Sequence, residues 1–137
     1  MLLTYITPNT RINTGLRGGG MTSHKGWSEY INKDKYVQPS LTSLRQIHDF
    51  IKRGQKLLDP TYVKDFNKSV LIIHGSSDRV NEPKGSIDFF NLINVSDKEL
   101  HIIEGSRHKV LAEKEEIYLR AEKIILSWLN KRSKAKL

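Results

Sequence analysis

The sequence contains no cysteine, which excludes a disulfide framework and a thiolate metal site and fits a reducing compartment. It has no long hydrophobic run either. The apolar start, Met1-Leu2-Leu3-Thr4-Tyr5-Ile6, is cut off by Pro8 and Asn9. That is too short for the core of a signal peptide and far too short to span a bilayer. A cytoplasmic location is expected, with neither secretion nor a transmembrane helix. Nowhere in the 137 residues is there a Gly-x-Ser-x-Gly turn, the strained strand-to-helix corner that presents a nucleophilic serine. Internal repeats are absent too. Apolar residues amount to only 37%, but they fall in periodic runs, which argues against disorder and for about one domain.

The net charge is +8. Part of it is a basic end, Lys131, Arg132, Lys134 and Lys136, best read as a solvated, frayed terminus. The rest is spread along the chain, and no nucleic-acid motif accompanies it, so no nucleic-acid partner is expected. Arg17-Gly18-Gly19-Gly20 reads as a loop. It lacks the Lys-Ser/Thr helix start of a phosphate cradle and the histidine of a His-Gly-Gly oxyanion loop.

Residues 1–39 are the least regular part. Residues 41–58 are predicted to form a helix capped by Ser40, with Leu44, Ile47, Ile51 and Leu58 inward and Leu41 and Phe50 flanking. Asp59-Pro60 ends it, and 60–68 is a linker. The unalternating run at 69–74 suits a parallel strand covered on both faces. A helix over 85–95 follows, with Ile87, Phe90 and Ile93 inward, then a second strand over 99–104, completing a βαβ unit. A last helix over 113–130 carries Ile117, Ala121, Ile124, Ile125 and Trp128 inward. Its acidic start, Glu113, Glu115 and Glu116, suits the helix dipole.

Each strand ends in a glycine-containing turn, His74-Gly75-Ser76-Ser77-Asp78 and Glu104-Gly105-Ser106-Arg107-His108. In open parallel sheets, chemistry sits beyond the carboxyl ends of the strands. Neighbouring strands would bring Asp78 and His108 to one rim, where a carboxylate can hold an imidazole in the tautomer that accepts a proton from a nucleophile. The order acid then histidine is that of the α/β-hydrolase triad. His74 and His101 fall within strands and read as packing or turn residues, and His24 and His48 lie further upstream. His101 and His108 lack a third ligand at metal-binding spacing, so neither metal nor cofactor is expected.

The segment Val70 to Trp128 resembles the C-terminal third of α/β-hydrolases of the monoacylglycerol lipase type, in the serine aminopeptidase and lysophospholipase-like group. Upstream, Arg11-Ile12-Asn13-Thr14-Gly15-Leu16 and Ser43-Leu44-Arg45-Gln46-Ile47-His48-Asp49-Phe50 resemble the cap region of the fungal monoglyceride lipases. Pro83-Lys84-Gly85-Ser86 and Asp97-Lys98-Glu99-Leu100 resemble their segments after the acid turn and before the last strand. The resemblance implies a cap or lid-like region over 1–66 and the C-terminal βαβα portion of the hydrolase core over 67–137. It also implies Asp78 as triad acid, His108 as base, and a monoacylglycerol cleaved to glycerol and fatty acid, with Ile47, Phe50 and Ile51 near the acyl path or in the cap core.

The family's His-Gly oxyanion loop and nucleophile elbow have no counterpart here. Ser76 and Ser77 follow Gly75 without the second glycine, Ser86 runs into Ile87-Asp88, and Ser106 into Arg107-His108. The chain is expected to begin within the cap and, alone, to hydrolyse no ester. It is also expected to be marginally stable or to associate, because its first strand would have an uncovered edge. Contact with a membrane or lipid-droplet surface is the partner expectation that goes with the substrate class. The alternative function is a non-catalytic remnant that binds another protein through the sheet edge or the cap helix.

Overall fold

A computed structural model describes residues 2–37 and 41–133. The expected Ser40 cap and the basic residues Lys134 and Lys136 lie outside the described residues. In chain order the elements are α1 (Leu2–Ile6), β1 (Arg11–Asn13), α2 (Gly18–Met21), α3 (Lys25–Lys33), β2 (Leu41–Ser43), α4 (Leu44–Leu57), α5 (Pro60–Val63), β3 (Val70–Gly75), α6 (Pro83–Leu92), β4 (Lys98–Ile103), a 3-10 turn (Val110–Ala112) and α7 (Glu115–Ser133). Strands β3 and β4 pair in parallel from Val70↔Lys98 to Gly75↔Ile103. Helices α6 and α7 contact both strands. Ile93, Ile103, Ile117 and Ala121, each at most 8% exposed, form the buried apolar positions of this half.

The local reasons are visible in the sequence. Pro83 sits in the first turn of α6, where its missing N–H costs nothing. The far end of α6 is closed by Lys98, whose Nζ donates to the carbonyls of Phe90 and Ile93 at 2.6 and 2.8 Å, satisfying acceptors that a helix end leaves open. Helix α7 has Glu115 and Glu116 in its first turn and Lys131 and Arg132 in its last, each complementing the dipole. Arg132 also pairs with Asp97, and Lys131 lies 3.7 Å from Glu99. The described part of the basic end is thus tied to the start of β4.

Several expectations need correction. The glycine triplet is helical, not a loop. Glycine is a poor helix former, and here tertiary contact overrides propensity. A Cβ at Gly18 would collide with the Ser28 backbone, so glycine lets α2 lie directly against α3, and Asn32 accepts the Gly18 N–H at 2.9 Å. The helix expected over 41–58 begins at Leu44. Residues 41–43 pair antiparallel with β1, and Ser43 forms a reciprocal capping box with Gln46. Its apolar stripe is only partly inward: Leu44 and Ile47 are half-buried, but α4 has no buried residue and Phe50, Ile51 and Leu58 are exposed. Pro60 opens α5 under an Asp59 cap rather than a bare linker. Strand β3 is half-buried along 70–74, not covered on both faces. Ile87 faces outward. Glu113 lies outside α7 and is buried.

Candidate active site

The two strand-end turns are stitched to each other. Ser76 N–H donates to Ile103 O at 3.0 Å and Ser77 N–H to Ser106 O at 2.9 Å. Gly105 N–H donates to Ser76 Oγ at 2.9 Å. The parallel register places Gly75 opposite Ile103, so both turns leave the sheet at the same level. Gly75 is required by space: a Cβ there would overlap the carbonyls of Ser106 and Arg107. Gly105 is required by conformation, at φ +75°, where side chains carry a penalty.

This arrangement brings Asp78 and His108 into contact. His108 Nδ1 lies 2.9 Å from Asp78 Oδ2. The other carboxylate oxygen accepts the backbone N–H groups of Val80 at 2.8 Å and Asn81 at 3.0 Å. Burial by itself would raise the Asp78 pKa. The bonds from His108, Asn81 and Val80, with the charge of His108, outweigh it and hold the carboxyl below its ordinary value. A carboxylate can only accept, so His108 Nδ1 carries a proton, and in the neutral ring Nε2 presents a lone pair. Among the described residues Nε2 has no hydrogen-bond partner. Asp78 is sealed, its side chain 3% exposed, whereas the His108 side chain is 28% exposed. His108 lines an open depression of about 220 Å³ with Ile73, His74, Asp78, Asn81 and Val110.

His108 is held from both sides by groups that sequence reasoning did not single out. Arg107 N–H donates to Glu113 Oε1 at 2.8 Å, and Lys109 N–H to Met21 O at 2.8 Å. Glu113 Oε2 accepts Ser23 N–H at 2.9 Å and the Ser23 hydroxyl. The Arg107 guanidinium donates to Gly19 O and Thr22 O, and buried Thr22 donates to Ala112 O at 2.5 Å. The α2–α3 corner therefore clasps the histidine turn across about 90 residues of sequence. No periodicity or spacing signals such bonds.

The remaining candidates have other duties. His24 caps α3 through Nδ1. His48 stacks edge-on against Tyr5 with centroids 6.1 Å apart, and His101 pairs with Glu99 at 3.3 Å. His74, expected to be a packing or turn residue, lies 3.1 Å from Asp78 Oδ2. Among the serines, Ser76 accepts from Gly105, Ser86 meets His74, and Ser106 is fully buried. None bonds His108 among the described residues. No group of three or more His, Asp or Glu among them is arranged to hold a metal ion. No helix among them is long and apolar enough to cross a membrane.

Comparison with known proteins defines the fold first. The chain superposes with a TM-score of 0.84 and 38% identity on a crystal structure of a soluble variant of monoglyceride lipase from Saccharomyces cerevisiae in complex with a substrate analog, over 95% of this chain and 46% of that one. The fold alone is shared with the monoacylglycerol lipase of Paleococcus ferrophilus, at a TM-score of 0.76 and 21% identity over 93% of this chain and 48% of that one. The architecture is the C-terminal part of an α/β-hydrolase. The serine aminopeptidase, S33 family matches residues 1–115, and the chain belongs to that family. Within it, the chain is 36% identical to the monoglyceride lipase of Saccharomyces cerevisiae, over 95% of this chain and 44% of that protein. It spans less than half the length of each of these relatives.

Proposed function

We propose that these residues supply the acid and base of a monoglyceride-lipase-type serine hydrolase, with Asp78 as acid and His108 as base, and that a serine from polypeptide outside these 137 residues completes the triad. The observation that carries this reading is the 2.9 Å contact between His108 Nδ1 and sealed Asp78, with His108 lining an open depression. In that reading Nε2 takes the serine proton as the hydroxyl attacks the ester carbonyl. It then returns the proton to the departing glycerol oxygen, while Asp78 stabilises the imidazolium between the two steps. Water hydrolyses the acyl-enzyme by the same route and releases the fatty acid. Residues 1–66 serve as the cap or lid-like region and 67–137 as the core. The clasp from Gly19, Thr22 and Ser23 onto the histidine turn supports their acting together. A cytoplasmic position at a membrane or lipid-droplet surface belongs to the same proposal, supported by the lipid named for the relatives.

Without a nucleophile elbow the chain alone is expected neither to react with a fluorophosphonate probe nor to cleave monoacylglycerol. Mixed or co-expressed with the N-terminal portion of the Saccharomyces lipase, which would bring that elbow, it is expected to cleave monoacylglycerol, and His108→Ala and Asp78→Asn are expected to remove the activity. Fluorophosphonate labelling of the chain alone that depends on His108 would overturn the reading, and so would complemented activity indifferent to both substitutions. A second role, as a module that binds another protein, is favoured by one observation: α4 and α7 expose Phe50, Ile51, Leu119, Leu126 and Leu129.

A further inference from the structure

Asp78 Oδ2 lies between two imidazoles, and the triad reading uses only one. His74 projects from β3, and its side chain is 14% exposed. Its Nε2 hydrogen-bonds the Asn81 carbonyl at 2.8 Å and stands 3.1 Å from Asp78 Oδ2. Its Nδ1 meets Ser86 Oγ, on α6, at 2.7 Å. A carbonyl oxygen can only accept, so Nε2 carries the proton, and in the neutral ring Nδ1 accepts the Ser86 hydroxyl proton. Asn81 in turn donates its N–H to Asp78 Oδ1 at 3.0 Å. The acid turn is therefore fastened to the strand before it and the helix after it through one ring. The Ser76 and Ser77 amides, by contrast, fasten that turn to the end of β4 and the histidine turn.

We propose that His74 is a positioning residue for the Asp78–His108 pair: it fixes the Asp78–Asn81 turn through the Asn81 carbonyl and sets an N–H beside the carboxylate oxygen that His108 uses. The inference rests on the Asp78–His108 reading and deepens it. With His74 in place the carboxylate has one orientation, and that orientation selects the Nδ1–H tautomer of His108, as outer partners of a ligating or catalytic histidine do. Once the ring's hydrogen bonds are gone, the turn keeps the Val80 and Asn81 amides on the carboxylate and its bonds to the histidine turn but loses its tie to β3 and α6, and the carboxylate holds His108 less strictly to one tautomer.

The test reads that tautomer directly, by nitrogen-15 correlation spectra of the histidine rings in the intact chain at neutral pH. The parent is expected to show His108 protonated at Nδ1. His74→Phe, a ring of similar size without polar atoms, is expected to give a mixture of tautomers in the folded protein. His74→Gln, whose amide reaches the position of Nε2, is expected to restore Nδ1 protonation. Loss of stability alone would not move the tautomer of the folded fraction. If His74→Phe does not fold, His74→Asn, which can meet Ser86 but is too short for Asn81, carries the same arm. A folded His74→Phe or His74→Asn protein with unchanged His108 tautomer overturns the inference. Asp78→Asn separates it from the underlying reading: if that substitution also leaves His108 unchanged, the Asp78–His108 pair itself is wrong.

Discussion

Replacing Glu113 with alanine should be the most damaging single polar change among the described residues, although Glu113 does not line the depression that His108 lines. Glu113 is 3% exposed and accepts three bonds, from Arg107 N–H at 2.8 Å, Ser23 N–H at 2.9 Å and the Ser23 hydroxyl. The hydroxyl can turn elsewhere, but the two amides cannot. A buried donor left without an acceptor costs about 1–3 kcal/mol, and these two are part-buried, so the pair comes to at most about 2–6 kcal/mol. Domains of this size have about 5–15 kcal/mol of stability in all. A two-stranded sheet with apolar helix faces exposed belongs near the lower end, so Glu113→Ala removes much of the total. Glu113→Gln keeps one acceptor oxygen and turns an amide nitrogen toward a donor, so it should fall between. Urea unfolding followed by the fluorescence of Trp27 and Trp128 gives the order parent, Gln, Ala in the midpoints. Native-state hydrogen exchange should show the Arg107 and Ser23 amides losing protection first. Equal midpoints for all three proteins, with those two amides still protected in Glu113→Ala, would refute the reasoning.

Gly75, the last residue of β3, and Gly54, within α4, offer a contrasting pair. Gly75→Ala is expected to push the histidine turn off the acid turn, lowering stability by about 1–3 kcal/mol as overpacking does and erasing the low-field imidazole N–H resonance of His108. Gly54→Ala, in open space on α4, is expected to raise stability by roughly 0.5–1 kcal/mol, and the reverse order in thermal melts would contradict both assignments. Asp78 binds its proton less readily folded than unfolded, so its stabilisation is complete above the unfolded value near 3.9 and is lost as pH falls through the lower folded value. Asp78→Asn should flatten that acid limb in urea midpoints taken between pH 5 and 2, and an unchanged limb would show that other carboxyls carry it. The outer edges of β3 and β4 are unpaired among the described strands, and the faces of α4 and α7 are apolar. Sedimentation is therefore expected to depend on concentration, and a single monomeric boundary across a hundredfold dilution would count against it.

Short-range pattern determined a good deal by itself. The apolar runs at Val70–Ile73 and Leu100–Ile103, the helix between them and the terminal helix are all legible because each depends on residues within a few turns of one another. So is the family, since Pro83-Lys84-Gly85-Ser86 and the two strand-end turns lie within one unit of chain. What the pattern misread were elements whose conformation or covering is decided elsewhere. Gly18–Met21 is helical because glycine permits contact with Ser28. The α4 stripe is apolar and periodic, but periodicity states only that a face exists, not that anything packs on it.

The approach of Asp78 to His108 falls between these cases. The sequence placed each residue after a strand, but their 2.9 Å contact follows only from parallel pairing that sets Gly75 opposite Ile103. The groups that hold the pair were decided by tertiary structure alone. Glu113 reaches Ser23, and Arg107 reaches Gly19, across about 90 positions, while His74 reaches Asn81 and Ser86 only once β3, its turn and α6 have folded against one another. Hydrogen bonds need direction and a fixed distance, and a linear sequence carries neither until the chain has closed on itself.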